Sequence, residues 1–297
     1  WKEWDLDWSN IDLVCAGSPC QGFSFAGKQL AFDDPRSKLY FVFINILNHC
    51  KKLNPNVKFF LENVDMKKEH MKVINDTVEV FGQCLNSSLV SAQNRKRWYW
   101  SNISTRSLGM FGDIETYIEP PKDRGILLKD IVEPVVDEKY YLSDKLVKGF
   151  LNKGGDFGKR FAPKFDTNVK ANCITANMYK MAVTDNFVCV AMRGRNPENP
   201  SDRRTGSPTE QRLEPQRDGK TNCITSVQKD NLLTDGIILR RLTPRETMRL
   251  QTIPERFQEV LLNSGVSDTQ LYKMMGNGWS IEVIKEYFKP LVISISK

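Results

Sequence analysis

Apolar residues in the first hundred positions alternate between short continuous runs and helical spacings. The segments 11–17, 57–63 and 97–103 are short and mostly apolar, which is typical of strands buried in a parallel sheet. Positions 37–53 carry apolar residues at helical spacing, and a charged helix is expected at about 67–81. Strands that alternate with helices predict an open α/β sheet with right-handed crossovers.

The pattern changes after about residue 104, where glycine, proline, asparagine and charged residues become frequent up to about 238. The hexapeptide KANCIT at 170–175 returns as KTNCIT at 220–225, and we interpret the copies as similar strand–turn–strand units of a mostly β domain. Positions 193–220 are nearly devoid of apolar side chains. Such a stretch is either a solvated surface loop or a loop that contacts the substrate.

Helical patterns return after 238. Thr243, Pro244 and Glu246 have the spacing of a capping box with proline at the first helical position, and further helices are expected up to the end of the chain. The sequence therefore predicts an α/β segment at 1–103, a β-rich domain at 104–238 and a helical segment at 239–297.

Composition narrows the class of protein only slightly. The 297 residues are 40% hydrophobic and 27% charged, which predicts a globular chain, and the net charge of +7 is compatible with a polyanionic partner. No apolar run approaches the roughly 20 residues that cross a bilayer, and no signal peptide is visible, so we expect a cytoplasmic, non-secreted protein without membrane contact. Seven cysteines without a C-x-x-C pair, and only two histidines, predict reduced thiols and no metal site.

Three stretches carry candidate chemistry. GSPCQGFSFAGKQ follows the first predicted strand and places Cys20 in a loop of small residues, where α/β sheets bind ligands. Glu62 ends the second strand, where a carboxylate is costly unless it is exposed, paired or used. Gln93, Arg95 and Arg97 would share one face of a strand, either as a solvated edge or as donors to a polar ligand. Taken locally, the Cys20 thiol is either structural or nucleophilic.

In this order, the three stretches resemble motifs of the DNA cytosine carbon-5 methyltransferases of bacteria and phages. The matching residues are Pro19-Cys20-Gln21, Glu62-Asn63-Val64 and Gln93-x-Arg95-x-Arg97. Segments 240–257 and 275–284 resemble later motifs of that family, and the variable region between 103 and 238 falls where the family keeps its target recognition domain. The resemblance implies a Rossmann-like, S-adenosylmethionine-dependent methyltransferase domain with a smaller, β-rich target recognition domain.

The resemblance also implies roles for individual residues. Cys20 would attack carbon 6 of a cytosine flipped out of double-stranded DNA, and carbon 5 would then accept a methyl group from S-adenosylmethionine. Glu62 would hydrogen-bond the ring, while Arg95 and Arg97 would hold the base and support the catalytic loop. The implied cofactor-binding residues are Pro19, Asn277, Gly278, Trp279 and Ser280. DNA contacts are expected from Gln21, Ser24, Gln93, Arg193, Arg195, Arg203 and Arg204.

The sequence departs from the family pattern in two places. The Gly-rich loop that cradles the cofactor would precede Trp1, and the closing motif reads GNGWS at 276–280 where the family usually has Gly-Asn-Ser-Val. We therefore expect an N-terminally incomplete catalytic domain, left by truncation or completed by a complementary N-terminal chain. The alternative is a non-catalytic or partner-dependent DNA-binding chain of a split methyltransferase, and the biological setting could be restriction-modification, phage protection or regulation.

Overall fold

The structure is a computed structural model, which describes residues 1–17, 38–110, 112–141, 170–171, 173–174, 176, 187–195, 210–215 and 238–295. Its helices and strands are, in chain order, β1 (Leu13–Gly17), α1 (Lys38–Leu53), β2 (Lys58–Asn63), α2 (Lys68–Val78), β3 (Gln83–Asn86), β4 (Lys96–Ser101), β5 (Thr105–Leu108), β6 (Asp113–Thr116), β7 (Phe187–Arg195), β8 (Glu210–Pro215), β9 (Ile238–Arg241), α3 (Pro244–Leu250), α4 (Glu255–Leu262), α5 (Asp268–Asn277) and α6 (Ile281–Ile295).

The chain divides into two compact units. The first unit comprises Trp1–Asn86, Lys96–Pro121 and Val283–Lys297. The second comprises Ser87–Arg95 and Lys122–Glu282. The predicted division into 1–103, 104–238 and 239–297 stays a prediction, because much of the middle segment lies outside the described residues.

A four-stranded sheet in the order β1-β2-β4-β3 forms the centre of the first unit. β1 and β2 are parallel, as the two apolar runs predict. β4 is antiparallel to both of its neighbours, β2 and β3. The sequence pattern missed β3, and a connection as short as 87–95 suits antiparallel rather than parallel neighbours. The α/β class is confirmed, with one antiparallel strand within the sheet.

Apolar side chains cover both faces of this sheet. The face toward α1 packs in a cluster that includes Tyr40, Phe43, Leu47, Phe59, Leu61 and Trp100. Successive residues of a strand point to opposite faces, so Phe60 and Tyr99 lie on the other face. Their ring centroids are 5.5 Å and 4.9 Å from that of Tyr287 in α6. Helices on both faces of the sheet hold β2 and β4 in place.

The second unit contains α3, α4 and α5 and a three-stranded sheet in the order β8-β7-β9. The predicted capping box is confirmed: Thr243 Oγ1 accepts a hydrogen bond from the Glu246 amide, and Glu246 Oε2 accepts one from the Thr243 amide. The prediction of one continuous loop at 193–220 is wrong, because β7 extends to Arg195 and pairs with β8. Hydrogen bonds between the paired backbones form these strands, although their sequence has no apolar pattern.

Within the ranges that the structure describes, no helix is long and apolar enough to cross a membrane. Within the same ranges, no group of three or more histidine, cysteine or acidic side chains is placed to hold a metal ion. The described cysteines, Cys15, Cys50, Cys84 and Cys173, are free thiols.

Candidate active site

Glu62 and Arg97 form an ion pair in the first unit. Glu62 lies near the end of β2, and Arg97 lies near the start of the antiparallel strand β4. Arg97 Nε is 2.9 Å from Glu62 Oε1, and the two side chains are only 14% and 11% exposed. Arg97 Nη1 also donates to the carbonyl of Lys96. A carboxylate this buried is tolerated because the guanidinium provides a charged donor.

The catalytic loop would begin beside this pair. Gly17, the last residue of β1, is the register partner of Glu62 in β2. The carboxyl ends of the two parallel strands therefore lie side by side, where α/β sheets bind their ligands. Cys20 follows Gly17 by three positions in the sequence. Cys20 lies outside the described residues, as do Pro19, Gln21 and Ser24, and their roles stay predictions.

Gln93 and Arg95 do not share a strand face with Arg97, so that expectation is wrong. β4 begins at Lys96, and the segment before it leaves the ladder, with Gln93 forming a bridge to Ala171. The boundary between the two units falls between Arg95 and Lys96. Gln93 is fully buried, and its amide donates to the Leu250 carbonyl at 2.7 Å. Its role in DNA binding stays a prediction, although this amide has protein partners.

Arg95 is buried within the second unit, where it reaches two distant parts of the chain. Its Nη2 donates to the carbonyls of Gly276 at 3.2 Å and Gly278 at 2.8 Å. Its Nη1 donates to the Ile174 carbonyl at 3.3 Å and lies 3.4 Å from Cys173 Sγ. The residue is 3% exposed. Arg95 therefore cross-links the closing motif to the segment that holds the first hexapeptide copy.

Among the predicted cofactor residues, Asn277 is the last residue of α5, and positions 278–280 connect α5 to α6. Asn277 is exposed, whereas Gly278 and Trp279 are partly buried. A Cβ atom at Gly278 would lie 2.8 Å from the Met274 carbonyl oxygen, so only glycine lets the backbone turn this closely. Ser280 is buried, and its hydroxyl donates to Gln251 Oε1 at 2.9 Å. The Asn277 side chain is thus exposed, the Trp279 side chain is partly buried, and Ser280 is anchored by its hydrogen bond.

The predicted DNA-binding arginines are only partly described. The backbone of Arg193 and Arg195 belongs to β7, paired with Arg212 and Glu210 of β8. Arg203 and Arg204 lie outside the described residues. All four assignments stay predictions.

Gln251, in the second unit, was missed by the sequence analysis. It caps the C-terminal end of α3 and is 1% exposed. Its side chain contacts Gln93, Ser280 and the carbonyls of Met275 and Gly278. The signal available in the sequence was a glutamine directly after the apolar Leu250. An amide that is buried at such a position needs hydrogen-bond partners.

Comparison with known proteins places the chain in a family. Residues 2–292 match the model of the C-5 cytosine-specific DNA methylases. The type II methyltransferase M1.ScrFI of Lactococcus lactis subsp. cremoris is 29% identical over 296 residues, which cover 94% of this chain and 62% of that protein. M.NlaX of Neisseria lactamica is 27% identical, with 96% and 77% covered. A tRNA (cytosine(38)-C(5))-methyltransferase of Spodoptera frugiperda is 26% identical, with 98% and 80% covered.

Two solved structures share the fold. A methyltransferase of Entamoeba histolytica, EhMeth, matches with a TM-score of 0.58 at 20% identity over 95% of this chain and 78% of that one. The Dnmt2 methyltransferase of S. pombe matches with a TM-score of 0.56 at 17% identity, with 98% and 83% covered.

The chain belongs to the C-5 cytosine-specific DNA methylase family. The match confirms the fold and the class of enzyme that the motifs implied, and S-adenosylmethionine is the methyl donor of that class. The chain spans less than two thirds of the length of M1.ScrFI.

Proposed function

We propose that the protein transfers a methyl group from S-adenosylmethionine to carbon 5 of a cytosine in double-stranded DNA. The observation that carries the proposal is the buried Glu62–Arg97 pair, in which Glu62 is the register partner of Gly17, three positions before Cys20 in the sequence. The family match and the similarity to type II methyltransferases support it. A DNA-containing compartment is the corresponding location.

Cys20 is the nucleophile in this proposal. Its thiolate forms a bond between Sγ and carbon 6 of the cytosine, which makes carbon 5 electron-rich. Carbon 5 would then take the methyl group of S-adenosylmethionine, with cleavage of the sulfur–methyl bond and release of S-adenosylhomocysteine. Loss of the carbon 5 proton to a base then allows the bond between Sγ and carbon 6 to break, which restores the thiolate and the aromatic ring.

Glu62 supports the ring during attack. Its carboxyl group, once protonated, donates a hydrogen bond to ring nitrogen 3, where electron density accumulates. Arg97 holds Glu62 Oε1 at 2.9 Å and so fixes the direction in which the carboxyl group faces. Because the guanidinium favours the charged carboxylate, protonation of Glu62 must accompany binding of the base.

The target base must leave the helix, since neither face of a stacked cytosine admits a thiolate. The β-rich part of the chain would read the surrounding duplex through its grooves, with Arg193, Arg195, Arg203 and Arg204 as candidate contacts. Asn277, Gly278 and Trp279 would hold S-adenosylmethionine. The exposed amide, the close turn at Gly278 and the partly buried indole fit a ligand with both polar and aromatic parts.

A tRNA cytosine is the second candidate substrate. The tRNA methyltransferase of Spodoptera frugiperda covers 98% of this chain at 26% identity, which is close to the identity with the DNA enzymes. Both reactions use the same attack on carbon 6, so the choice depends on the recognition region.

Trapping with 5-fluorocytosine tests the proposal, because fluorine replaces the proton that must leave carbon 5. With S-adenosylmethionine and a duplex carrying 5-fluorocytosine, we expect a denaturation-resistant protein–DNA adduct that Cys20→Ser abolishes. An adduct that persists in Cys20→Ser refutes the nucleophile. An adduct with fluorinated tRNA alone favours the second candidate, and DNA binding without any methyl transfer indicates the non-catalytic or partner-dependent alternative.

A further inference from the structure

The segment 275–280, called the loop below, comprises the last three residues of α5 and the connection to α6, and two buried side chains hold it. Gln251 Nε2 donates to the carbonyls of Met275 and Gly278. Arg95 Nη2 donates to the carbonyls of Gly276 and Gly278. The Gly278 carbonyl therefore accepts from both donors, at 3.3 Å and 2.8 Å. The carbonyls of Met275, Gly276 and Gly278 therefore face the interior of the second unit.

The amide of Gln251 has a full set of partners. A primary amide offers two N–H donors and an oxygen with two acceptor sites. The donors contact Met275 and Gly278, and the oxygen accepts from Gln93 Nε2 at 3.0 Å and Ser280 Oγ at 2.9 Å. Buried amides with every site used are fixed in one orientation.

Gln251 also fixes the start of α6 through its backbone. Its carbonyl accepts from the Ile281 amide at 3.0 Å. Ser280 Oγ lies 2.9 Å from Ser87 Oγ, which connects the loop to the segment before Arg95. Both ends of the loop are therefore fixed within the same unit, while the Asn277 side chain between them is exposed.

We propose that Gln251 and Arg95 are positioning residues that hold Asn277 and Trp279 in the geometry that binds S-adenosylmethionine. The inference rests on the proposed function and assigns Arg95 a different role from holding the base. Loss of either side chain frees inward-facing carbonyls, so the loop samples conformations that do not bind the cofactor. Cofactor affinity should fall while contacts with DNA are unchanged.

A matched pair of glutamines provides the main test. Gln258 is also 1% exposed and in the second unit, but its amide donates to the Ile253 carbonyl outside the loop. We expect Gln251→Met to raise the calorimetric Kd for S-adenosylmethionine by about fivefold to tenfold, as for the loss of one or two hydrogen bonds. Gln258→Met should leave that Kd within about twofold. The Kd for duplex DNA, measured by fluorescence anisotropy, should change in neither variant.

Hydrogen exchange tests the loop without the cofactor. Exchange of the amides at 276–281 should be faster in Gln251→Met than in Gln258→Met. Unchanged exchange, or faster exchange with an unchanged cofactor Kd, overturns the inference. If the unaltered protein binds no S-adenosylmethionine, the proposed function fails together with the cofactor part of the inference, and hydrogen exchange still decides the loop part.

Arg95 variants separate positioning from base contact and serve if Gln251→Met does not fold. A lysine retains the charge and can reach one of the two carbonyls, so Arg95→Lys should raise the cofactor Kd less than Arg95→Met does. An arginine that holds the base would instead lower kcat and leave the cofactor Kd and the exchange of 276–281 unchanged. That second result overturns the assignment of Arg95.

Discussion

Under the proposed function, Glu62 serves both the fold and the reaction with one carboxyl group. In the fold it is a buried anion that depends on Arg97 at 2.9 Å. In the proposed reaction it carries a proton toward the base. These demands conflict, because an ion pair favours the anion. Binding of the cytosine would remove this conflict, because ring nitrogen 3 accepts a hydrogen bond from the protonated carboxyl group and so stabilises that form.

Substitution of Glu62 tests this role. We expect Glu62→Ala to lower the rate of methyl transfer by about 100- to 10,000-fold, which is the range for loss of a general acid. Glu62→Gln should lower the rate of methyl transfer less, since its amide still offers an N–H to the ring nitrogen. Single-turnover rates with labelled S-adenosylmethionine measure both. The matched control is Glu79→Gln, at an exposed carboxylate of the same unit; equal rates in all three variants would contradict the assignment.

The two arginines show how far a motif predicts side-chain contacts. For Arg97, the resemblance implied a role beside the base, and the structure pairs it with Glu62. The partners of Arg95 were not predictable, because they lie at Ile174, Gly276 and Gly278. Alternation along a strand also failed here, since it applies only inside a strand, and β4 begins one residue after Arg95.

At the scale of elements, continuous apolar runs were the reliable signal. The predicted strands at 11–17, 57–63 and 97–103 correspond to β1, β2 and β4 within two residues at each end. β3 was missed because its four residues, QCLN, have no distinct pattern. β8 was missed because EQRLEP is polar and is stabilised by pairing with β7. Pairing partners distant in sequence determine such strands.

A buried ion pair joins β9 to the first turn of α3. Arg240 Nη1 and Nη2 donate to the two carboxylate oxygens of Glu246 at 2.8 Å and 2.6 Å. Glu246 also accepts from the amides of Glu133 and Thr243. The two side chains are 2% and 0% exposed. The pair thus fixes three backbone segments of the second unit around one carboxylate.

Glu246→Gln should therefore be strongly destabilising. It leaves the Arg240 guanidinium buried without its counter-charge, and we expect the free energy of unfolding to fall by about 3–5 kcal/mol. Urea denaturation followed by circular dichroism measures the change. Glu255→Gln removes a carboxylate of the same unit that is 60% exposed and pairs with Arg249, and it should cost less than about 1 kcal/mol. A similar decrease in the free energy of unfolding in both variants would contradict the stabilising role of the buried pair.

At the scale of the whole molecule, buried tyrosines occur in both units. Burial raises the pKa of Tyr40 and of Tyr140 to about 12. Burial also raises the pKa of Tyr272 and of Tyr287. Tyr40 and Tyr287 belong to the first unit, and Tyr140 and Tyr272 to the second. Both units therefore favour the neutral phenol over tyrosinate.

The protein should lose stability between about pH 10 and 12. An unfolded tyrosine ionises near pH 10, whereas the raised pKa values keep the folded phenols neutral. The unfolded chain thus binds fewer protons in this window, and the free energy of unfolding falls as pH rises. The urea midpoint should decrease from pH 8 to pH 10 and again to pH 11. The tyrosinate absorbance at 295 nm should appear at higher pH in the folded protein than in the unfolded chain. Tyr287→Phe, which removes one phenol bonded to Gln83, should flatten the decrease; a constant midpoint in the unaltered protein would contradict the argument.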